Sequence, residues 1–87
     1  MPYISIFFGI IIRMFYNEHE PPHFHAYYQG LDGIFDLEGN LIKGNIEKSK
    51  TALKLIKEWA ELHKKELEEN WKRVKKGESL RKIEPLK

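Results

Sequence analysis

Asn17-Glu18-His19-Glu20-Pro21-Pro22-His23-Phe24-His25-Ala26 places three of the chain's four histidines within seven residues, and its reading decides how the rest folds. Each proline locks its own φ, and Pro22 also pushes Pro21 toward an extended conformation, so the backbone entering His23 is stiff. Pro22 to Gln29 then reads as a strand. Side chains two apart in a strand share a face, so His23, His25 and Tyr27 point one way while Phe24, Ala26 and Tyr28 point the other. One face is apolar and the other bears imidazoles.

Upstream, the even positions Ile4, Ile6, Phe8, Ile10, Ile12, Met14 and Tyr16 are all apolar, while the odd positions mix Ser5, Gly9 and Arg13 with Phe7, Ile11 and Phe15. This is strand periodicity with one fully buried face. Gly9 marks a bulge or sharp bend, so the run is either one bent strand or two, Tyr3 to Phe8 and Ile10 to Tyr16. With the alternation carried across the bend, Arg13 falls on the less apolar face, the one expected to hold His23 and His25. The run is not read as a membrane span or a signal, because it contains Ser5, Gly9 and Arg13, is shorter than the roughly 20 residues a spanning helix needs, and lacks a basic leading region. No membrane partner is expected.

Downstream, Gly30-Leu31-Asp32-Gly33 reads as a turn, Ile34 to Leu37 as a short strand, Glu38-Gly39-Asn40 as a second turn and Leu41 to Lys43 as a further strand. Short turns between consecutive strands make an antiparallel meander, one face of which must be covered. The cover is a helical segment from Ser49, an N-cap, to Gly77, a C′ glycine after Lys75 and Lys76. At 1.5 Å per residue it would be about 42 Å long, so it either breaks or overhangs the sheet. Ala52, Ile56, Trp59, Ala60, His63, Leu67 and Val74 recur at helical spacing, bordered by Leu53 and Trp71, and Glu61 with Lys65, Glu68 with Lys72 and Glu69 with Arg73 lace the outer surface. Glu78 to Lys87, with Leu80, Ile83, Pro85 and Leu86, reads as an extended arm docked on the body. The expected fold is α+β, an antiparallel meander of three to four strands against one long or broken C-terminal helix. As a single domain of residues 1–87 it divides into a meander at 1–46, a helix at 47–77 and an arm at 78–87.

A chain of 87 residues buries little, so a homodimer or a bound partner would add needed stability. With no cysteine, a disulfide framework and a thiolate metal site are both excluded, cytoplasmic residence is expected, and any metal must be held by His, Asp or Glu. The net charge of +2 hides an asymmetry: residues 72–87 carry seven basic and two acidic residues, a balance of +5, and the body before them eight basic and eleven acidic, a balance of −3. A basic end on an acidic body suits RNA, DNA or an acidic partner, and equally suits the negative pole of a helix.

Phe8-Gly9-Ile10-Ile11-Ile12-Arg13-Met14, the motif His19-Glu20-Pro21-Pro22-His23-Phe24-His25-Ala26, Glu58-Trp59-Ala60-Glu61-Leu62-His63, Asn70-Trp71 and the closing Ile83-Glu84-Pro85-Leu86 together resemble the small prokaryotic family known as domain of unknown function 4160. The likeness covers almost the whole chain. One departure is Glu18, where the family pattern often has Asp. The resemblance implies a single-domain protein often encoded beside another small domain, and hence a toxin and antitoxin pair with a small partner protein from the neighbouring gene. It carries the family's shared polar positions onto Arg13, His19, His23, His25, His63 and Asn70.

Three chemistries use these residues. His23 and His25 on one strand face form a bidentate arrangement for zinc, nickel or iron, with His63 or His19 as a third nitrogen and water completing an open site. The same two histidines, with Arg13 stabilising a phosphorane, would serve a metal-free ribonuclease of the kind small toxins use. The favoured reading is a partner-binding module in which His19, His23, His25, Tyr27 and Asn70 form the recognition surface and the tail of residues 72–87 assists with nucleic acid or with that partner.

Overall fold

The computed structural model describes residues 3–87; residues 1 and 2, which the 1–46 range includes, lie outside it. Five strands, β1 Ser5–Phe7, β2 Ile10–Arg13, β3 His23–Tyr28, β4 Leu31–Asp36 and β5 Leu41–Lys43, form an antiparallel sheet in sequence order. A 3₁₀ turn over Asn45–Lys48 leads into α1 Lys50–Leu62 and α2 Lys64–Lys76. The architecture is α+β, with five strands where three to four were expected. The extra strand comes from the hairpin at Gly9.

Phe8 and Gly9 both have positive φ, 50° and 81°, the signature of the two-residue turn whose twist matches that of paired strands. Phe7 therefore pairs with Ile10, Ile6 with Ile11 and Ser5 with Ile12. Paired residues share a face, so a two-residue turn swaps odd for even across the hairpin. Ser5 and Phe7 are buried in β1 and Ile10 and Ile12 in β2, whereas Ile6, expected in the core, is 43% exposed. The expected even-numbered face is thus correct for β2 and inverted for β1.

A second turn of this kind, at Gln29 and Gly30, starts β4 at Leu31 rather than Ile34. Gly33, expected in the turn, lies inside the strand. A Cβ there would sit 2.6 Å from Ile46 Cγ2 and 2.9 Å from Leu41 Cδ1, so the glycine lets the 3₁₀ segment close onto the sheet.

On the inner face Phe24 stacks on its register partner Phe35 with centroids 5.5 Å apart, and Trp59 of α1 meets Phe24 edge-on at 5.7 Å and Phe7 at 5.3 Å. Ala52, Ile56, Trp59 and Ala60 of α1 and Leu67, Trp71 and Val74 of α2 are buried, as the helical spacing predicts. The Ser49 hydroxyl caps α1 by accepting from the Ala52 amide, and Gly77 ends α2 in the left-handed region. The helix breaks at His63, whose φ of −119° and ψ of 27° leave the helical range. No helix among the described residues is long and apolar enough to cross a membrane.

The arm docks as expected. Ile83 N–H donates to the Ile4 carbonyl, the Trp59 indole N–H to the Glu84 carbonyl, and Ile83 is buried. The arm thereby ties α1 to the first strand.

Candidate functional site

Between β2 and β3 the chain folds back at Asn17, which takes the left-handed conformation that asparagine tolerates better than most residues. The following loop is pinned to α2. Lys75 Nζ donates to the Glu18 carbonyl at 2.8 Å and pairs with Glu20 Oε2 at 3.4 Å, and the Trp71 indole N–H donates to the same Glu20 oxygen at 3.3 Å. Tyr16 Oη donates to the Glu78 carbonyl. The Glu20–Pro21 peptide is cis. With its backbone held at both ends, the loop turns the Glu18 side chain toward the start of β3.

There Glu18 meets both strand histidines. Its Oε1 lies 2.7 Å from His25 Nε2 and its Oε2 lies 3.4 Å from His23 Nε2. One ligand atom from each of Glu18, His23 and His25 falls within 4.8 Å of the other two, which no other three-residue set of His, Cys, Asp or Glu achieves among the described residues. His23 Nδ1 is 2.8 Å from the Pro21 carbonyl, and a carbonyl only accepts, so Nδ1 carries the hydrogen and Nε2 faces the carboxylate. Trp71 flanks His23 at 5.2 Å and Phe15 meets the edge of His25 at 4.7 Å. These walls hold both rings. The His23 side chain is only 11% exposed and that of His25 30%, so the centre opens on the His25 side.

A family model described as domain of unknown function DUF4160 matches residues 9–72, from the β1–β2 hairpin into the last turns of α2. The chain belongs to the DUF4160 family. No curated protein and no solved structure matches it. The matched span of this DUF4160 chain contains every residue of the centre together with Trp71, which walls it, and stops short of Lys75 and the arm.

Burial pushes the Glu18 carboxyl up, but the hydrogen bond from His25, the charge of His25 and then that of His23 outweigh it and hold the group below the ordinary carboxylate value. The carboxylate is therefore the form this centre prefers.

Arg13 is the register partner of His25, on the face expected for it. From there the outer face of the sheet dips into a groove of about 300 Å³ lined by Arg13, His25, Tyr27, Asp32, Ile34 and Lys43. Other candidate residues lie elsewhere. His63, expected as a third ligand, sits at the helix break with Nδ1 2.6 Å from Glu66 Oε1, because its place in the inward stripe turns it toward α2's first turn and away from β3's outer face. His19 is exposed in the loop and outside the cluster. Asn70, expected on the recognition surface, is 1% exposed, and its side chain both donates to the Arg81 carbonyl and accepts from the Arg81 amide. It clamps the arm. In the basic tail Lys75 holds the loop, Arg73 reaches Glu78, and Lys82 lies 3.5 Å over the Tyr3 ring.

Glu18 is the one member of the centre that the sequence does not mark as a ligand, because only the fold-back at Asn17 brings it to β3. The signal it does leave is an acidic side chain just ahead of a proline pair that feeds a His-x-His strand.

Proposed function

We propose that this DUF4160 chain is a metal-binding domain in which Glu18, His23 and His25 hold one divalent transition-metal ion. One observation carries the reading. With its Nδ1 hydrogen committed to Pro21, a neutral His23 turns a bare Nε2 lone pair toward Glu18 Oε2 at 3.4 Å, two acceptors face to face. Only a positive centre between them, a proton or a metal ion, makes that arrangement favourable. The Nδ1 hydrogen bond to a carbonyl is also the outer support that metal-bound histidines use to fix ring orientation and tautomer. Two imidazoles and one carboxylate suit zinc, nickel or iron(II), and three protein ligands leave positions open toward the groove. The metal-free ribonuclease reading is less well served, since both imidazoles converge on one carboxylate instead of flanking a space for a phosphodiester.

The test is a titration of untagged protein stripped with chelator. Zinc, and iron(II) under anaerobic conditions, should each bind at one ion per chain. Absence of binding to either at millimolar metal would reject the centre.

A second reading, a partner-binding module of a two-gene system, is favoured by the uncovered outer face of the sheet, where Ile6 and Tyr27 are 43% and 44% exposed, with Phe8 at 59% on the hairpin tip. Co-expression with the product of the adjacent gene should give a complex of fixed stoichiometry by light scattering. A chain that elutes as the same monomer with and without that product would exclude it, and a concentration-dependent dimer would assign the face to a second copy instead.

A further inference from the structure

Beside the proposed metal centre stands Arg13, whose buried Nε–H meets no acceptor among the described residues. Among the described residues, too, no carboxylate pairs with its guanidinium. The nearest acid in sequence, Glu18, has both oxygens turned to imidazoles. A buried donor left without an acceptor destabilises the fold, and so calls for an acceptor that is not part of the chain.

The place for that acceptor is the groove. Arg13 lines it from β2 and Lys43 from β5, with His25 between them on the strand that carries the metal ligands. Asp32 lines it as well, so the fixed charges of Arg13, Lys43 and Asp32 leave one net positive. A planar guanidinium matches the two oxygens of a carboxylate or phosphate, and a volume of about 300 Å³ suits a small molecule. We propose that the groove binds a small oxyanion, a carboxylate or a phosphate monoester, gripped by Arg13 and Lys43 beside the open side of the Glu18, His23 and His25 centre. This names the ligand class of the same site; its metal-adjacent half rests on the proposed function, while its anion half stands on Arg13 alone.

The experiment follows the Arg13 Nε–H resonance by NMR while inorganic phosphate, and separately succinate, is added at constant ionic strength to metal-free and to zinc-loaded protein. A saturable shift is expected, and the tighter of the two probes assigns phosphate or carboxylate as the class. Isothermal titration should show the tighter probe bound about 10-fold or more weakly by Arg13→Met, and less weakly by Arg13→Lys, which keeps charge without the fork. Melting should show Arg13→Met at least as stable as the parent, because the change removes an unpaired buried donor. Anion binding unaffected by Arg13→Met, or a shift that never saturates, would overturn the proposal. A chain that takes one zinc but no anion refutes the groove alone; a chain that binds anion through Arg13 but no zinc upholds it and refutes only the metal centre.

Discussion

A Trp59→Ala chain should lose about 3–5 kcal/mol of stability, the range for a large aromatic truncated in a packed core. Trp59 is fully buried and sits where three layers meet: its ring lies against Phe24 of β3 and Phe7 of β1, and its indole N–H holds the Glu84 carbonyl of the arm. Truncation opens a cavity under the sheet and frees the arm at once. A domain of 87 residues has only roughly 4–13 kcal/mol in total, so the variant would sit near the limit of folding. Its melting temperature should fall by about 15–30 °C. Trp59→Phe separates the two losses, because it keeps most of the ring contacts and gives up the hydrogen bond, at a cost of about 1–2 kcal/mol. If Trp59→Ala melted within about 5 °C of the parent, the arm and the sheet would not share one core.

What could be read from the sequence was what periodicity and caps encode. Phe24 and Ala26 inward with His23, His25 and Tyr27 outward follows from strand alternation alone, and Ser49 and Gly77 mark the helix ends by their own chemistry. Arg13 on the histidine face follows for the same reason. Turn geometry was the limit. Two residues of positive φ at Phe8 and Gly9 reverse the parity of β1, and no pattern of apolar residues distinguishes that turn from a bulge. Length required the helix to break or overhang, but nothing as plain as proline or glycine marks His63 as the place. Its apolar spacing was correct and its chemistry local, since a residue three positions on, Glu66, takes the ring. Asn70 stands out as a polar group in a buried stripe, and the stripe itself holds the explanation: both halves of the amide are used by an arm that lies eleven residues away. Glu18 required long-range knowledge of a different kind, a loop pinned by Lys75 and Trp71 from the far end of the chain.

Glu18→Gln should abolish measurable metal binding while leaving the fold intact, which makes it the sharpest probe of the centre. Outer supports of a metal ligand are worth about 10–100-fold in affinity, so a ligand itself should be worth about 100-fold or more. His25→Ala should lose as much, and His63→Ala, outside the cluster, should bind as the parent does. The amide is the right replacement because it satisfies both neighbours without a cation: its oxygen accepts from His25 Nε2, and its NH₂ donates to the bare Nε2 of His23. The pH dependence supplies a second readout on metal-free protein. Since the folded Glu18 carboxyl lies below its ordinary value, the folded state releases that proton more readily than the unfolded chain does. Its ionisation therefore adds stability that is fully present above the unfolded value of about 4.3 and is lost as pH falls through the lower folded value. Denaturant midpoints of parent and Glu18→Gln should run parallel near neutrality and shift in the variant's favour under acid. A variant that kept zinc affinity within about 3-fold of the parent would show that the carboxylate is no ligand, and parallel midpoints down to the acid limit would show that its contact with the two imidazoles does not stabilise the fold.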